Sequence, residues 1–314
     1  FNYPSGFGQL QAQGRACNMM ARLGVFLLWL IHFLPFKIQG FLGNGLGVLL
    51  YLFAHGRRRI ATINLRLCFP QMTDAARARM VRQNFQFFSR SVIERGILWW
   101  SGRARLQKLI RVEGREHFDN ALGQPLILLT AHFVGLDVGG SWIIQNANAV
   151  SVSARQKNKF LGKSILEKRG RFGEQLLYAR QEGLRPVVKA LRAGRPFYYF
   201  TDQDFSAKDS LFVPFFGIST ATLATLPRLV KMAGAKVVPC MTRVLPDYQG
   251  YEVRFYPAWE NYPTDDAMAD TRRMNEFIEQ RVLEMPEQYF WLHRRFKTRP
   301  PNSENMHVEE NFYQ

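Results

Sequence analysis

The residues best suited to do chemistry lie in the segment Thr130–Asp137, which reads Thr-Ala-His-Phe-Val-Gly-Leu-Asp. The apolar run that ends at Thr130 begins at Pro125 and predicts a buried parallel strand. His132 then stands just past the carboxyl end of that strand, where open α/β sheets place their ligands. Asp137 falls in the expected first turn of the next helix, from which its carboxylate could reach the imidazole. A histidine oriented in this way is a general base for a hydroxyl that attacks a thioester.

The spacing of His132 and Asp137 is a weak signal when it is taken alone. A structural histidine followed by an aspartate that caps a helix would give the same pattern. The interpretation therefore depends on the other motifs in the chain.

A second polar segment, Asp202-Gln203-Asp204, also follows an apolar run, Pro196–Thr201. Two aspartates spaced in this way can hold a divalent metal on a sugar nucleotide, as in glycosyltransferases. The same residues can equally form a polar loop that organises an active site, and the sequence leaves both interpretations open.

The chain carries a large basic surplus, with 42 Lys and Arg against 25 Asp and Glu and a formal charge of +17. Such a surplus indicates an anionic partner: nucleic acid, an anionic membrane face, or a phosphorylated or acidic substrate. Many of the cations lie between Arg155 and Arg195, where they suit phosphate groups or form a solvated helix face. The basic and aromatic segment Trp291–Lys297 could bind headgroups or pack against the sheet.

Several other kinds of site are disfavoured by the motifs. Cys17, Cys68 and Cys240 form no CxxC pair, which argues against a disulfide framework or a cysteine zinc site and fits a reducing compartment. A phosphate-binding loop would need a glycine where Lys157 stands, upstream of Gly162-Lys-Ser. No G-x-S-x-G nucleophile motif is present.

The elements that must position these residues alternate between strand and helix patterns. Strands are predicted at 125–130, 148–154, 196–201, 236–239 and 251–256, and helices within 60–110, with Asp74 as a cap, and at 184–191, 224–232 and 267–283. This alternation predicts an α/β fold with a mostly parallel sheet flanked by helices. A single catalytic domain over residues 57–300 is the simplest interpretation.

Two apolar runs, Leu23–Phe36 and Ile38–Ala54, precede the cluster Arg57–Arg59. We expect residues 19–56 to anchor the chain, with the first run inserted in a membrane, the second at its interface, and the arginines on the cytoplasmic side. A pair of buried core helices and a signal peptide are the alternatives. Residues 1–18 and 301–314 are expected to be tails, either disordered or foreign to the natural chain.

Together, five segments resemble the late acyltransferases of lipid A biosynthesis, the lauroyl/myristoyl transferase family. They are Asn64–Pro70, His132–Asp137, Arg155–Asn158 with Gly170-Arg171, Asp202–Phe216 and Pro286–Pro300. The resemblance implies a glycerol-phosphate-acyltransferase-like α/β fold with an N-terminal membrane-anchoring helix. It also implies an active site that faces the cytoplasm on the bacterial inner membrane.

The resemblance further implies the reaction. The donor would be acyl–acyl carrier protein, and the acceptor a phosphorylated, Kdo-bearing, acylated glucosamine disaccharide; no cofactor, metal or nucleic acid is implied. His132 would be the base and Asp137 its partner, where relatives often have Glu. The residues that would bind substrate or shape the site are Arg155, Asn158, Arg171, Asp202, Gln203 and Asp204. Backbone N–H groups near Gly135, or a basic side chain, could stabilise the oxyanion.

Other functions stay open on the sequence. The same base could acylate another lipid acceptor, such as a lysophospholipid or a glycolipid. A metal-dependent glycosyltransferase that uses Asp202 and Asp204, and a basic protein that only binds membranes or nucleic acid, are the remaining alternatives. Acyl chain length, the hydroxyl acylated and the oligomeric state are not encoded in any motif.

Overall fold

A computed structural model describes residues 6–153, 158–179, 182–207, 210–300 and 312–313, with only the backbone described before Asn18. The helices are α1 (Gly6–Ile31), α2 (Phe36–Phe53), α3 (His55–Cys68), α4 (Asp74–Ile93), α5 (Arg95–Trp100), α6 (Arg103–Leu109), α7 (Arg115–Asp119), α8 (Leu136–Asn146), α9 (Lys159–Arg169), α10 (Arg185–Arg192), α11 (Thr225–Ala233) and α12 (Ala267–Glu284). The strands are β1 (Ile110–Glu113), β2 (Leu126–Thr130), β3 (Val150–Ser153), β4 (Leu176–Ala179), β5 (Phe197–Phe200), β6 (Ser210–Phe215), β7 (Ile218–Leu223), β8 (Lys236–Val244) and β9 (Tyr251–Phe255).

A seven-stranded sheet in the order β1-β9-β8-β2-β5-β3-β4 forms the centre of the molecule. Strand β9 runs antiparallel to β8, and the other neighbours pair in parallel. Every residue of β2 is buried, because helices cover both faces of the sheet. The predicted α/β class with a mostly parallel sheet is therefore confirmed.

Most of the predicted elements agree with the structure to within a few residues at their ends. Strand β8 continues beyond the predicted run as far as Val244, and the hairpin β6–β7 was not predicted. The cap of α4 is also corrected. Thr73, rather than Asp74, accepts the hydrogen bond from the Ala76 N–H at 3.3 Å, and Asp74 is the first residue of the helix.

Helix α2 packs against α4 through a face of glycines. A Cβ atom on Gly43 would lie 2.7 Å from Cα of Arg90, and one on Gly47 would lie 2.4 Å from Cα of Gln86. The two helix backbones can approach this closely only because these positions lack side chains. The GxxxG pair Gly43 and Gly47 carries little information in the sequence. In the structure it forms the face of α2 that packs on α4.

The outer face of α2 is apolar and exposed, and so is that of the second half of α1. The exposed residues are Met19, Met20, Leu23, Phe26, Leu27, Trp29, Leu30, Ile38, Phe41, Leu42, Leu49, Leu52 and Phe53. By length and composition, α2 is the one helix among the described residues that could cross a membrane, and only 28% of it is buried. Buried core helices are therefore not what these two runs form.

Parts of both expected tails lie among the described residues. Helix α1 begins at Gly6, well before the predicted start of the anchor. Near the other end, the buried Tyr313 hydroxyl donates to Oδ1 of Asn64 at 2.5 Å and accepts from the N–H of Phe296 at 3.1 Å. Tyr313 is thereby held against α3.

The segment after α12 lies beside the loop that follows β2. The N–H of Phe290 donates to the carbonyl of His132 at 2.9 Å, and the N–H of Val134 donates to the carbonyl of Gln288 at 3.0 Å. Trp291 and Phe296 are buried in the core, whereas the cations Arg294 and Lys297 are exposed. This basic and aromatic segment thus packs through its rings and the buried Arg295, and it presents Arg294 and Lys297 to solvent.

Candidate active site

The sheet register brings His132 and Asp202 together. Strands β2 and β5 are parallel neighbours in which Thr130 pairs with Phe200, and His132 and Asp202 each stand two residues beyond that pair. Nδ1 of His132 lies 2.6 Å from Oδ1 of Asp202. The backbone N–H of His132 donates to the other carboxylate oxygen, Oδ2, at 2.9 Å. One carboxylate therefore holds both the ring and the backbone of the histidine.

Asp202 stays ionised in spite of its burial. Its side chain is only 2% exposed. Burial by itself would raise the pKa of this carboxyl, but the interaction and hydrogen bonds with His132, together with the nearby Arg295, lower the pKa to about 2. The Tyr289 hydroxyl is buried beside the same carboxylate, and burial followed by the charge on Asp202 raises the pKa of Tyr289. Asp202 is thus a fixed negative charge behind the imidazole.

The outer nitrogen of His132 remains available for chemistry. The side chain is 21% exposed, and its ring lies 4.9 Å from the ring of Phe200. Within the described part of the chain, no protein group bonds to Nε2. Because the carboxylate accepts a hydrogen bond from Nδ1–H, the geometry assigns the tautomer in which Nε2 carries the lone pair. A general base requires a lone pair that is accessible in this way.

Asp137 is not the partner of His132, and the predicted pairing of these two residues is corrected here. Asp137 does lie in the first turn of α8, as predicted. Its two carboxylate oxygens instead accept from Arg95 of α5 at 2.6 Å and from Arg169 of α9 at 2.5 Å. Burial acts to raise the pKa of Asp137, but the two guanidinium groups hold it well below its usual range. Asp137 ties three helices together beside the site.

The other carboxylate of the Asp-Gln-Asp segment holds protein groups as well. Asp204 accepts from the N–H of Thr298 at 2.7 Å and from its hydroxyl at 2.8 Å. The N–H of Asp204 donates to Nε2 of His293 at 3.1 Å. Burial lowers the pKa of His293 to about 4, although the charge on Asp202 acts to raise it. In the part of the chain that the structure describes, no group of three or more His, Cys, Asp or Glu residues is placed to hold a metal.

Two of the remaining predicted site residues, Asn158 and Arg171, bond to protein backbone groups. Asn158 caps α9, where its side chain accepts from the N–H of Leu161 at 3.0 Å. Arg171 donates to the carbonyls of Leu98 at 3.2 Å and Ser101 at 2.6 Å. Gln203 is half-buried between the two aspartates. Arg155 lies outside the described residues. A contact of these four residues with substrate stays a prediction.

A backbone donor remains near the start of α8. The N–H groups of Val134 and Leu136 are used by the carbonyls of Gln288 and Phe133. For the N–H of Gly135, no acceptor is found among the described residues. A side chain at Gly135 would meet Thr242 at 2.9 Å, so the loop is pressed against β8. The backbone N–H of Gly135 therefore stays a candidate donor to the oxyanion.

Sequence reasoning named Asp202 but missed its role, and it missed Arg95 altogether. The useful signal for Asp202 was its position just past an apolar run, since His132 also lies just past the end of its own run. Nothing in the sequence singles out Arg95, which is one of many arginines in a helical region. Its role depends on the packing of α5 beside α8.

Comparison with known proteins gives a consistent picture. The family model described as "Bacterial lipid A biosynthesis acyltransferase" matches residues 14–298. The chain is 34% identical over 281 residues to the lipid A biosynthesis lauroyltransferase of Escherichia coli (strain K12), covering 88% of this chain and 91% of that protein. It is 33% identical over 288 residues to the lipid A biosynthesis palmitoleoyltransferase of the same organism, covering 91% and 93%.

Among solved structures, a similar one is the 1-acyl-sn-glycerophosphate (LPA) acyltransferase PlsC from Thermotoga maritima. The identity is 15% and the TM-score 0.38, over 79% of this chain and 97% of that chain. A score this low carries no argument about function. The family match spans the His132 loop, the Asp202 loop and the C-terminal segment that joins them. The chain therefore belongs to the family of bacterial lipid A biosynthesis acyltransferases.

Proposed function

We propose that this protein transfers a fatty acyl group from acyl–acyl carrier protein to a hydroxyl of a lipid A precursor, a Kdo-bearing acylated glucosamine disaccharide. The observation that carries the proposal is the His132–Asp202 pair, whose 2.6 Å contact at Nδ1 leaves Nε2 open to a substrate. Membership of the family supports acyl transfer in lipid A biosynthesis. The nature of the donor and of the acceptor is the part that needs an experiment.

In the proposed reaction, Nε2 of His132 takes the proton of the acceptor hydroxyl while the oxygen attacks the thioester carbonyl. The imidazolium that forms is stabilised by the Asp202 carboxylate. The tetrahedral oxyanion then collapses, the C–S bond breaks, and the departing thiolate takes the proton from the imidazolium. The products are an ester and a free thiol, so that atoms and charges balance.

No nucleophile on the protein is required. Cys68 and Cys240 are both buried, and burial raises the pKa of each thiol far above its usual range. A thiol that is kept protonated is a poor nucleophile. Direct attack by the acceptor hydroxyl is therefore the simpler route.

The proposal places the protein on the bacterial inner membrane with the site facing the cytoplasm. The exposed apolar faces of α1 and α2 support a membrane contact. Helix α3 begins directly after α2 and carries Arg57, Arg58 and Arg59, which suit an anionic headgroup layer. The charge of +17 also favours an acidic carrier protein and an anionic acceptor.

The test is to incubate detergent-purified protein with a series of acyl–acyl carrier proteins and a Kdo-bearing tetra-acylated lipid A precursor, and to weigh the acceptor by mass spectrometry. We expect the mass of one added acyl chain. The substitution His132→Ala should reduce the rate by about a hundredfold or more, as is usual for loss of a general base. His117→Ala, which changes a histidine on the remote helix α7, serves as the matched control and should be as active as the wild type.

Each other outcome has a distinct meaning. If His132→Ala adds the acyl chain as fast as the wild type, the protein is still an acyltransferase, but His132 is not its general base. No gain with any donor, from folded protein, would reject the lipid A precursor as acceptor. A lysophospholipid or another glycolipid in the same assay would then test the alternative that the same base serves a different lipid.

A further inference from the structure

A cleft with a volume of about 820 Å³ opens between the end of α2, the start of α3 and the segment after α12. The residues on which its chemistry depends are Phe53, Arg57, Asp204, His293, Arg294 and Lys297. The cleft is separate from Nε2 of His132, but it shares a wall with the loop that holds that histidine.

The cleft is strongly cationic. Arg57, Arg294 and Lys297 are all exposed, and Arg57 is held in place by donating to the carbonyl of Leu292 at 2.9 Å. The acid in its lining is Asp204, whose carboxylate oxygens already accept from Thr298 and Ser206. A phosphate group is the ligand that such a set of Arg and Lys side chains suits best.

The position of the cleft points to a lipid rather than to a free anion. Phe53, at the end of the exposed apolar face of α2, forms part of its lining and is 74% exposed. Leu49 and Leu52 continue the same face. A ligand that fills the cleft therefore has apolar surface beside its charged group, which is the property of a membrane lipid with an anionic headgroup.

The cleft also lies next to the reacting histidine. Asp204 is two residues beyond Asp202, which holds the His132 ring. His293 accepts from the N–H of Asp204 at 3.1 Å, and Phe290, three residues earlier, donates to the carbonyl of His132 at 2.9 Å. A headgroup in the cleft would consequently be held at a fixed distance from Nε2.

We propose that this cleft binds a phosphate on the headgroup of the lipid acceptor and thereby selects which hydroxyl meets His132. The inference rests on the proposed function, because it names the part of the protein that recognises the acceptor of that reaction. Arg294 and Lys297 supply positive charge. Arg57 adds a guanidinium group whose position is fixed by its hydrogen bond to the carbonyl of Leu292. The loss of this contact should weaken acceptor binding and leave the chemical step intact.

The test compares wild type with Arg294→Gln/Lys297→Gln in the full chain, on a phosphorylated glucosamine disaccharide lipid and on its dephosphorylated counterpart. We expect the KM for the phosphorylated acceptor to rise about tenfold, as for two exposed charged contacts, while kcat changes by less than about twofold. With the dephosphorylated acceptor the two proteins should behave alike. Arg111→Gln, an exposed arginine on β1, is the matched control and should leave both constants unchanged.

A graded series separates a charge effect from a folding effect. Lys297→Glu should raise the KM more than Lys297→Gln, and all variants should melt at the temperature of the wild type. An unchanged KM in the double variant would overturn the proposal. The proposal would also be overturned if the double variant lost as much affinity for vesicles of phosphatidylglycerol as for the phosphorylated acceptor. The cleft would then be a general membrane contact.

A binding arm without any donor keeps this inference separate from the proposed function. Detergent micelles doped with the phosphorylated or the dephosphorylated acceptor are titrated with wild type and with the double variant. If no acyl transfer is seen with any acceptor, the proposed function fails, and the binding arm still decides about the cleft. If transfer occurs but the phosphate makes no difference to the binding of wild type, the cleft assignment fails alone.

Discussion

At the scale of single residues, the two aspartates near the site have different roles. Asp202 is buried behind His132 and accepts hydrogen bonds from both its ring and its backbone. Asp137 neutralises two guanidinium groups that converge from α5 and α9. A carboxylate can orient an imidazole only if one of its oxygens is free to accept a hydrogen bond from the ring. Both oxygens of Asp137 are already paired with arginines. The orienting role therefore belongs to Asp202 in this structure.

We expect Asp202→Asn to lower kcat by about a hundredfold to ten-thousandfold, with a small change in acceptor KM. The amide presents one acceptor where the carboxylate presents two, so either the ring or the N–H of His132 loses its partner. The exposed substitution Asp265→Asn is the control. Steady-state kinetics on folded protein measure the effect, and a kcat near that of wild type would show that Asp202 does not position the base.

Asp137→Asn should act mainly on stability. Removing one partner of a partly buried ion-pair cluster leaves two guanidinium groups uncompensated and should lower the free energy of unfolding by about 2 kcal/mol. Because the folded-state pKa of Asp137 lies below its ordinary value of 3.8, its contribution is present above about pH 4 and is lost as the pH falls further. Thermal melts in detergent should show a gap between wild type and variant at pH 6 that narrows below pH 4; a gap that widens on acidification would contradict this account.

At the scale of elements, the packing of α2 decides which of its faces is exposed. Gly43 and Gly47 lie against the backbone of α4. The large apolar residues at other positions of α2 consequently point outward. The segment that holds the proposed cleft is likewise positioned by packing, since the buried rings of Trp291 and Phe296 direct the cations Arg294 and Lys297 to the surface.

Gly47→Ala should therefore destabilise the protein, because the new methyl group would lie 2.4 Å from the backbone of Gln86. We expect a loss of about 2 kcal/mol, in the range found for overpacked helix contacts. Gly45→Ala in the same helix meets nothing within 4 Å and is the matched control, which should be neutral or slightly stabilising. A chemical or thermal unfolding series compares the two, and equal stability of both variants would refute close packing of α2 on α4.

At the scale of the whole molecule, apolar and cationic surfaces occur side by side. The outer faces of α1 and α2 are apolar, and the arginines at the start of α3 follow directly. The proposed cleft opens at that boundary. In the proposed function, a lipid acceptor keeps its acyl chains in the membrane while its headgroup reaches the His132 loop.

We expect Leu49→Gln/Leu52→Gln to weaken partitioning onto lipid vesicles by about thirtyfold, since each half-exposed leucine contributes about 1 kcal/mol on burial in lipid. Met268→Gln/Leu283→Gln removes two exposed apolar side chains from α12 and is the matched control. Vesicle flotation measures the bound fraction. An equal loss in both pairs would show that the face formed by α1 and α2 is not a special membrane contact.

The sequence by itself determined the alternation of most strands and helices and the location of His132, the proposed general base. The buried strand β2 can be predicted because a short apolar run that follows Gly123 and begins at Pro125 favours a central parallel strand. A residue just past its end must then lie at the ligand-binding edge of the sheet. The anchoring role predicted for residues 19–56 rests on composition and stays a prediction.

Only the tertiary structure decided which groups meet at that edge. Asp202 is 70 residues from His132 in the chain, and the two meet because β2 and β5 are adjacent and in register. The arginines that occupy Asp137 are 42 and 32 residues away from it, on separate helices. Local patterns carry no information about such contacts, because they arise from the packing of elements that are distant in sequence. A spacing of five residues could suggest a pair, but the register of the sheet and the packing of the helices selected the partner.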